Sequence, residues 1–220
     1  MAVKLLIAGE SNAGKTTLTK GLESSLVISH DGKRYPYRNP HASISSFSTS
    51  DELTSFVTEK IEAYHAKFGE YPRTVVFDSV SRIFDTLYDA CNHKYTGFNI
   101  YSNLDKEIKS FTNYIEDTLI ASGINVVILS HAIYDSETSK YNLVGKGSFA
   151  KVGSFLSVVD ESIFIETKSN KRILHFRSTK FPARTLQDDN PDSMPTEDFN
   201  LGTYVTHLEE VNSAVNEFEL

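Results

Sequence analysis

Residues 8–21 read AGESNAGKTTLTKG and follow directly on the apolar run VKLLI. Gly9 and Gly14 bracket Glu10, Ser11, Asn12 and Ala13, and Lys15, Thr16 and Thr17 come next, which fits G-x-x-x-x-G-K-[ST]. Between a strand and a helix, this spacing curls backbone N–H groups around a di- or triphosphate. The two glycines permit close approach and unusual dihedrals. Lys15 is expected to reach the β and γ oxygens and Thr16 to offer its hydroxyl to Mg²⁺, with the following helix adding a favourable field at its start. ATP and Mg²⁺ are the implied ligands, with residues 9–17 as their cradle. A glycine turn ahead of a helix is the plain structural alternative.

A phosphate site of this kind also needs a carboxylate at the end of a neighbouring strand. The segment TVVFDS (74–79) offers Asp78 after four strand-favouring residues, placed to hold a Mg²⁺-bound water with help from Ser79. An aspartate that merely caps the next helix would read the same way.

The elements that must bring these residues together alternate along the chain. Apolar runs at 3–9, 25–30, 73–80 and 124–132 read as buried strands, with a short strand expected at 42–47. Helices are expected from about Gly14, over 48–68, after Asp78 to about Ala90, and over 104–122. Asp51 and Glu52 behind Ser/Thr signal one helix start, and Gly69 and Pro72 its end. ESIFIET and RILHFRST flank KSN as a hairpin. Residues 92–103 read as a loop, 133–148 as a mobile loop, and 149–159 as helical. Strands separated by helices imply an α/β fold with a mainly parallel sheet covered on both faces. From Gln187 the composition turns acidic, so the core is expected over 1–186. A flexible acidic linker and a short helical end are expected over 187–220.

Composition narrows the partners. The chain has 220 residues, 40% of them hydrophobic, and a formal net charge of −7, so any nucleic-acid contact must be a local patch. A single cysteine, Cys91, rules out an internal disulfide and a multi-cysteine zinc site. No apolar run approaches the ~20 residues that cross a bilayer. The N-terminus lacks a signal-peptide core, so a cytoplasmic setting is expected. His41, His65 and His93 show no metal-ligand spacing.

GESNAGKTT resembles the Walker A segment of the RecA family, and VVFDSVSRI its Walker B segment. INVVILSHAIYD resembles the strand that ends in that family's γ-phosphate sensor, and VGKGSFAKVGSFLSVVDESIFIE its loop–helix–strand continuation. The resemblance spans roughly residues 1–185 and implies a three-layer RecA-like ATPase core. The family usually ends the sensor strand in Gln, whereas this chain has Ser130 and His131. His131 is the implied sensor, since an imidazole can hydrogen-bond a γ-phosphate; a buried structural histidine is the alternative. The family's catalytic carboxylate matches Asp31, which would orient the attacking water. An ordinary Asp-Gly turn with Gly32 is the competing explanation, and Glu10 and Asp85 are weaker substitutes. Arg177, Lys180 and Arg184 lie near the final strand, where RecA-like assemblies place basic residues that reach a neighbour's nucleotide. The resemblance therefore implies a homo-oligomer, ring or filament, with Lys180 and Arg184 as its trans finger. A solvated strand edge would carry the same residues.

Two stretches correspond to the family's DNA-contacting loops. One holds Lys94, Tyr95, Phe98 and Tyr101, and the other Lys140, Tyr141, Lys146, Phe149 and Lys151. Aromatics that stack on bases and lysines that hold phosphates suit sequence-tolerant single-strand binding. Single-stranded DNA is the implied partner, with a single-stranded DNA-binding protein as a further one. The chain looks like the compact RecA-core proteins of bacteriophages associated with single-strand annealing, which implies a host-cell cytoplasm. The family's N-terminal docking helix and additional DNA-binding domain are expected to be missing, which favours annealing or recombination support over full strand exchange. The alternative is a P-loop phosphotransferase or regulatory ATPase with no DNA partner. Residues 133–151 carry lysines but no arginine, unlike the arginine-bearing lid of such kinases. A third reading is an ATP-binding assembly factor with negligible hydrolysis.

Overall fold

Side chains alternate between two faces along every central strand, and each face has its own helical cover. A computed structural model of the chain describes all residues except 31, 33, 34, 36, 147–153 and 217–220. Its strands are β1 (Lys4–Gly9), β2 (Ser25–Ser29), β3 (His41–Ser43), β4 (Thr74–Asp78), β5 (Asn125–Asp135), β6 (Lys140–Leu143), β7 (Glu161–Lys168), β8 (Lys171–His175) and β9 (Ser193–Pro195). The helices are α1 (Lys15–Leu18), α2 (Ser50–Phe68), α3 (Val80–Lys94), α4 (Phe98–Tyr114) and α5 (Leu201–Asn216).

The sheet runs β3-β2-β4-β5-β1-β7-β8-β9, with β6 paired to β5 outside that path. Pairings from β3 to β7 are parallel, whereas β8 and β9 add antiparallel at one edge. Leu6, Ile28, Val75, Phe77, Val126 and Ile128 share one buried cluster with side chains of α2, α3 and α4. Their neighbours Leu5, Ile7, Val27, Val76, Val127 and Leu129 share the other with Leu201, Tyr204, Val205 and Leu208 of α5. The period of two thus buries both faces, giving the three-layer α/β architecture that a P-loop core requires.

Local chemistry sets the element ends. Thr49 caps α2 by accepting from the Glu52 N–H at 3.3 Å, while the Glu52 carboxylate reaches back to the Ser48 N–H at 2.7 Å. Gly69 ends that helix in the left-handed region, at φ 79°. The β7–β8 hairpin turns on Ser169 and Asn170, both at positive φ.

Four expectations need correction. The 92–103 stretch is mostly helical, because α3 runs to Lys94 and α4 starts at Phe98. The 133–148 stretch holds a hairpin, with β5 continuing to Asp135 and pairing with β6. Asp135 organises its turn by accepting from the Glu137 N–H at 2.9 Å and the Thr138 hydroxyl at 2.8 Å. The helix after the phosphate loop is a single turn, Lys15–Leu18, followed by a 3₁₀ turn at Thr19–Gly21.

The fourth concerns the acidic segment, which is no free linker. Gln187 is buried, β9 completes the sheet edge, and α5 packs Leu201, Val205 and Leu208 onto the sheet. Of the expected helix at 149–159, residues 149–153 lie outside the described residues, and Ser154–Ser157 form a 3₁₀ turn. No helix among the described residues is long and apolar enough to cross a membrane.

Candidate nucleotide site

The C-terminal end of β1 lies in the middle of the sheet, with β5 and β7 flanking it and β4 one strand further. Residues 9–14 leave β1 there and turn back into α1. Gly14 sits at φ 100°, in the region where a side chain is strained. At Gly9 a Cβ would fall 3.0 Å from the Ile165 carbonyl oxygen and 3.2 Å from the Ala13 Cβ. Both glycines are therefore demanded by shape. With only one helical turn behind the loop, the anion field comes from the loop's own N–H groups and charged side chains rather than from a helix dipole.

Lys15 is 7% exposed, and its Nζ donates to the carbonyls of Gly9 at 2.9 Å and Glu10 at 2.8 Å. The ammonium is thus curled into the loop that it follows. His131 lies beside it, with Nδ1 at 3.5 Å from Nζ. The Ser81 hydroxyl accepts from the His131 N–H at 2.9 Å and lies 3.2 Å from the Ser130 hydroxyl. The start of α3 is thereby tied to the end of β5, which fixes where His131 stands.

Thr16 and Asp78 meet as expected, with the Thr16 hydroxyl donating to Asp78 Oδ2 at 2.8 Å. Asp78 is 7% exposed at the end of β4. Ser79 follows it, with a buried hydroxyl that has no hydrogen-bond partner among the described residues. Two oxygens in contact plus an orphaned hydroxyl form an all-oxygen donor set suited to Mg²⁺. The residues present fit Mg²⁺ with a nucleotide: Thr16 and Asp78 would hold the metal, and residues 9–15 the phosphates.

Two participants were missed from sequence. The first is Tyr35, which donates to the same Asp78 oxygen at 3.1 Å. Burial, then the charge of Asp78, pushes the Tyr35 phenol far above its ordinary range. Arg172, on β8, is the second. A Cβ on Gly14 would lie 3.1 Å from its Cζ and Nη1. No local pattern marks either residue, since both reach the loop through tertiary contacts.

Other expected residues fall as follows. Glu10, Ser11, Asn12 and Thr17 are exposed along the loop. Asp31 lies outside the described residues, although His30 just before it donates its N–H to the Asp78 carbonyl at 2.8 Å. Asp85 pairs with Lys146 at 3.3 Å, and Glu10 accepts from the Tyr141 hydroxyl at 3.4 Å. Arg184 is exposed, with its Nη2 donating to the Val159 carbonyl at 2.5 Å and its backbone paired with Ser162. Arg177 is likewise held by the Asn190 and Gln187 carbonyls. Lys180 is exposed, over the ring of Phe181.

The expected DNA contacts divide. Lys94, Phe98, Tyr101 and Lys140 are exposed, with Phe98 at 82%. Tyr95 is half-buried against the core. Tyr141 packs against Phe164 and Phe181, so its ring is structural rather than free to stack. Lys146 is engaged by Asp85 and by the face of Tyr88. Phe149 and Lys151 lie outside the described residues.

A family model described as an AAA domain matches residues 1–193 of the chain. Among curated proteins, none matches.

Proposed function

The chain belongs to the AAA domain family, and on that footing we propose that this ATPase-type domain is Mg²⁺-dependent, binds single-stranded DNA and supports recombination or annealing. The observation that carries the reading is the double tether between the phosphate loop and the β5–β6 hairpin. His131 on β5 touches Lys15 at 3.5 Å, and Tyr141 on β6 donates to Glu10 at 3.4 Å. A ligand that repositions Lys15 or Glu10 therefore pulls on the element that carries Lys140.

In this reading Lys15 exchanges its two carbonyl acceptors for phosphate oxygens. His131, released from Lys15, hydrogen-bonds the γ-phosphate. Thr16 and Asp78 direct their oxygens at the metal, which when bound neutralises charge on the transferred phosphoryl group. Asp31 orients the attacking water. Lys94, Phe98, Tyr101 and Lys140 form the strand-binding face, and Lys180 is offered to a neighbouring copy in a ring or filament. The resemblance of residues 1–185 to RecA-core proteins supports the DNA partner.

A regulatory ATPase or phosphotransferase without DNA is favoured by one observation, the engagement of Tyr141 and Lys146 inside the protein. ATP hydrolysis by the wild type and Lys15→Ala, with and without single-stranded DNA, separates the two. Stimulation by DNA that vanishes in Lys15→Ala supports the proposal. Hydrolysis indifferent to DNA and dependent on a small acceptor supports the second reading. Tight nucleotide binding without hydrolysis points to an ATP-binding assembly factor.

A further inference from the structure

The register of the sheet carries β8 over the phosphate loop. Gly9 at the end of β1 lies opposite Ile165 of β7, and two residues further along β7, Thr167 lies opposite Arg172 of β8. Arg172 therefore overhangs the point where the loop leaves the sheet. Its guanidinium fills the space that a Gly14 side chain would take, with Cζ and Nη1 at 3.1 Å and Nε at 3.3 Å from that Cβ position. The side chain is exposed, and no carboxylate pairs with it among the described residues. In a chain of net charge −7, a cation held unpaired against a phosphate loop is an anion ligand in waiting.

We propose that Arg172 binds the diphosphate of the nucleotide from within the same subunit, as a planar, bidentate donor opposite Lys15. The inference rests on the nucleotide reading of residues 9–17 and adds to it a cation from the hairpin. Guanidinium geometry matches two phosphate oxygens at once, which lysine cannot do. A side chain at position 14 would have to share its space with the guanidinium, in addition to being strained at φ 100°.

Calorimetric titration with Mg·ADP, Mg·ATP and Mg·pyrophosphate tests it on the wild type, Arg172→Ala, Arg172→Lys and Lys15→Ala. Arg172→Ala is expected to weaken all three ligands by about ten- to a hundredfold, the worth of one charge-assisted contact. Arg172→Lys is expected to fall between alanine and wild type. The ligand-free melting temperature should stay at the wild-type value, since the side chain is exposed. Should alanine melt earlier, the lysine variant, which keeps charge and stem, carries the test. ADP affinity within twofold of wild type in Arg172→Ala, while Lys15→Ala loses binding, overturns the role of Arg172 and leaves the nucleotide site standing. A loss with ADP but none with pyrophosphate overturns the assignment to the diphosphate. A wild type that binds none of the three ligands overturns both.

Discussion

Tyr35 and Thr16 donate to one and the same oxygen, Asp78 Oδ2, at 3.1 and 2.8 Å. The carboxylate at the end of β4 is thus held between the phosphate loop and the segment that follows β2. Two donors on a 7%-exposed aspartate orient it before any ligand arrives, and such preorganisation is what an electrostatic site needs.

Removing the charge should separate binding from chemistry. Asp78→Asn is expected to lower ATP hydrolysis by about a hundredfold or more, in line with the loss of one preorganised electrostatic group. Nucleotide affinity measured in EDTA should barely change, whereas the gain on adding Mg²⁺ should shrink. An undiminished Mg²⁺ effect would remove Asp78 from the metal site.

Tyr35 makes a prediction at alkaline pH. Its folded pKa lies well above that of an unfolded tyrosine, because burial and the Asp78 charge both oppose the phenolate. The unfolded chain therefore releases this proton first, and its stabilising contribution, complete below about pH 10, is lost as pH rises above that value. Urea stability followed from pH 9 to 11 should fall less steeply in Tyr35→Phe than in wild type. Equal slopes would contradict the buried hydrogen bond. At neutral pH, loss of this bond to a charged group should cost about 1.5–3 kcal/mol.

The C-terminal helix should be part of the folded unit. Leu208 is 1% exposed in the cluster under β1 and β5, so Leu208→Ala should cost about 2–5 kcal/mol in a denaturation experiment. A cost near zero would mean that α5 does not dock.

Phe98, on the proposed DNA face, and Tyr141, packed inside the protein, should behave oppositely. Phe98→Ala should weaken single-strand binding by about 1–3 kcal/mol, the worth of one base stack, and leave stability unchanged. Tyr141→Ala should destabilise the protein, since its ring lies on Phe164 and Phe181. Anisotropy with a labelled oligonucleotide, alongside thermal melts, separates the two.

Much of this was legible in the chain. The phosphate loop, Asp78 and the hairpin around Ser169 and Asn170 depend on local spacing, and local spacing is what a sequence displays. Tyr35 and Arg172 were not legible, because each reaches the site through pairings between segments distant in the chain. The tail is an intermediate case. Leu201, Tyr204, Val205 and Leu208 follow helical spacing, but the acidic run 187–200 before them looks like linker until β9 is seen to pair with β8. The carbonyl of Val159 that holds the Arg184 guanidinium was not legible either, since a sequence displays a cation but not its acceptor.

The most direct measurement is calorimetric binding of Mg·ATP to the wild type and Lys15→Ala. One nucleotide bound per wild-type chain, with binding lost in Lys15→Ala, is the expected result. A wild type that takes up no nucleotide, or a Lys15→Ala protein that binds as the wild type does, would contradict the assignment of residues 9–17 as the phosphate cradle.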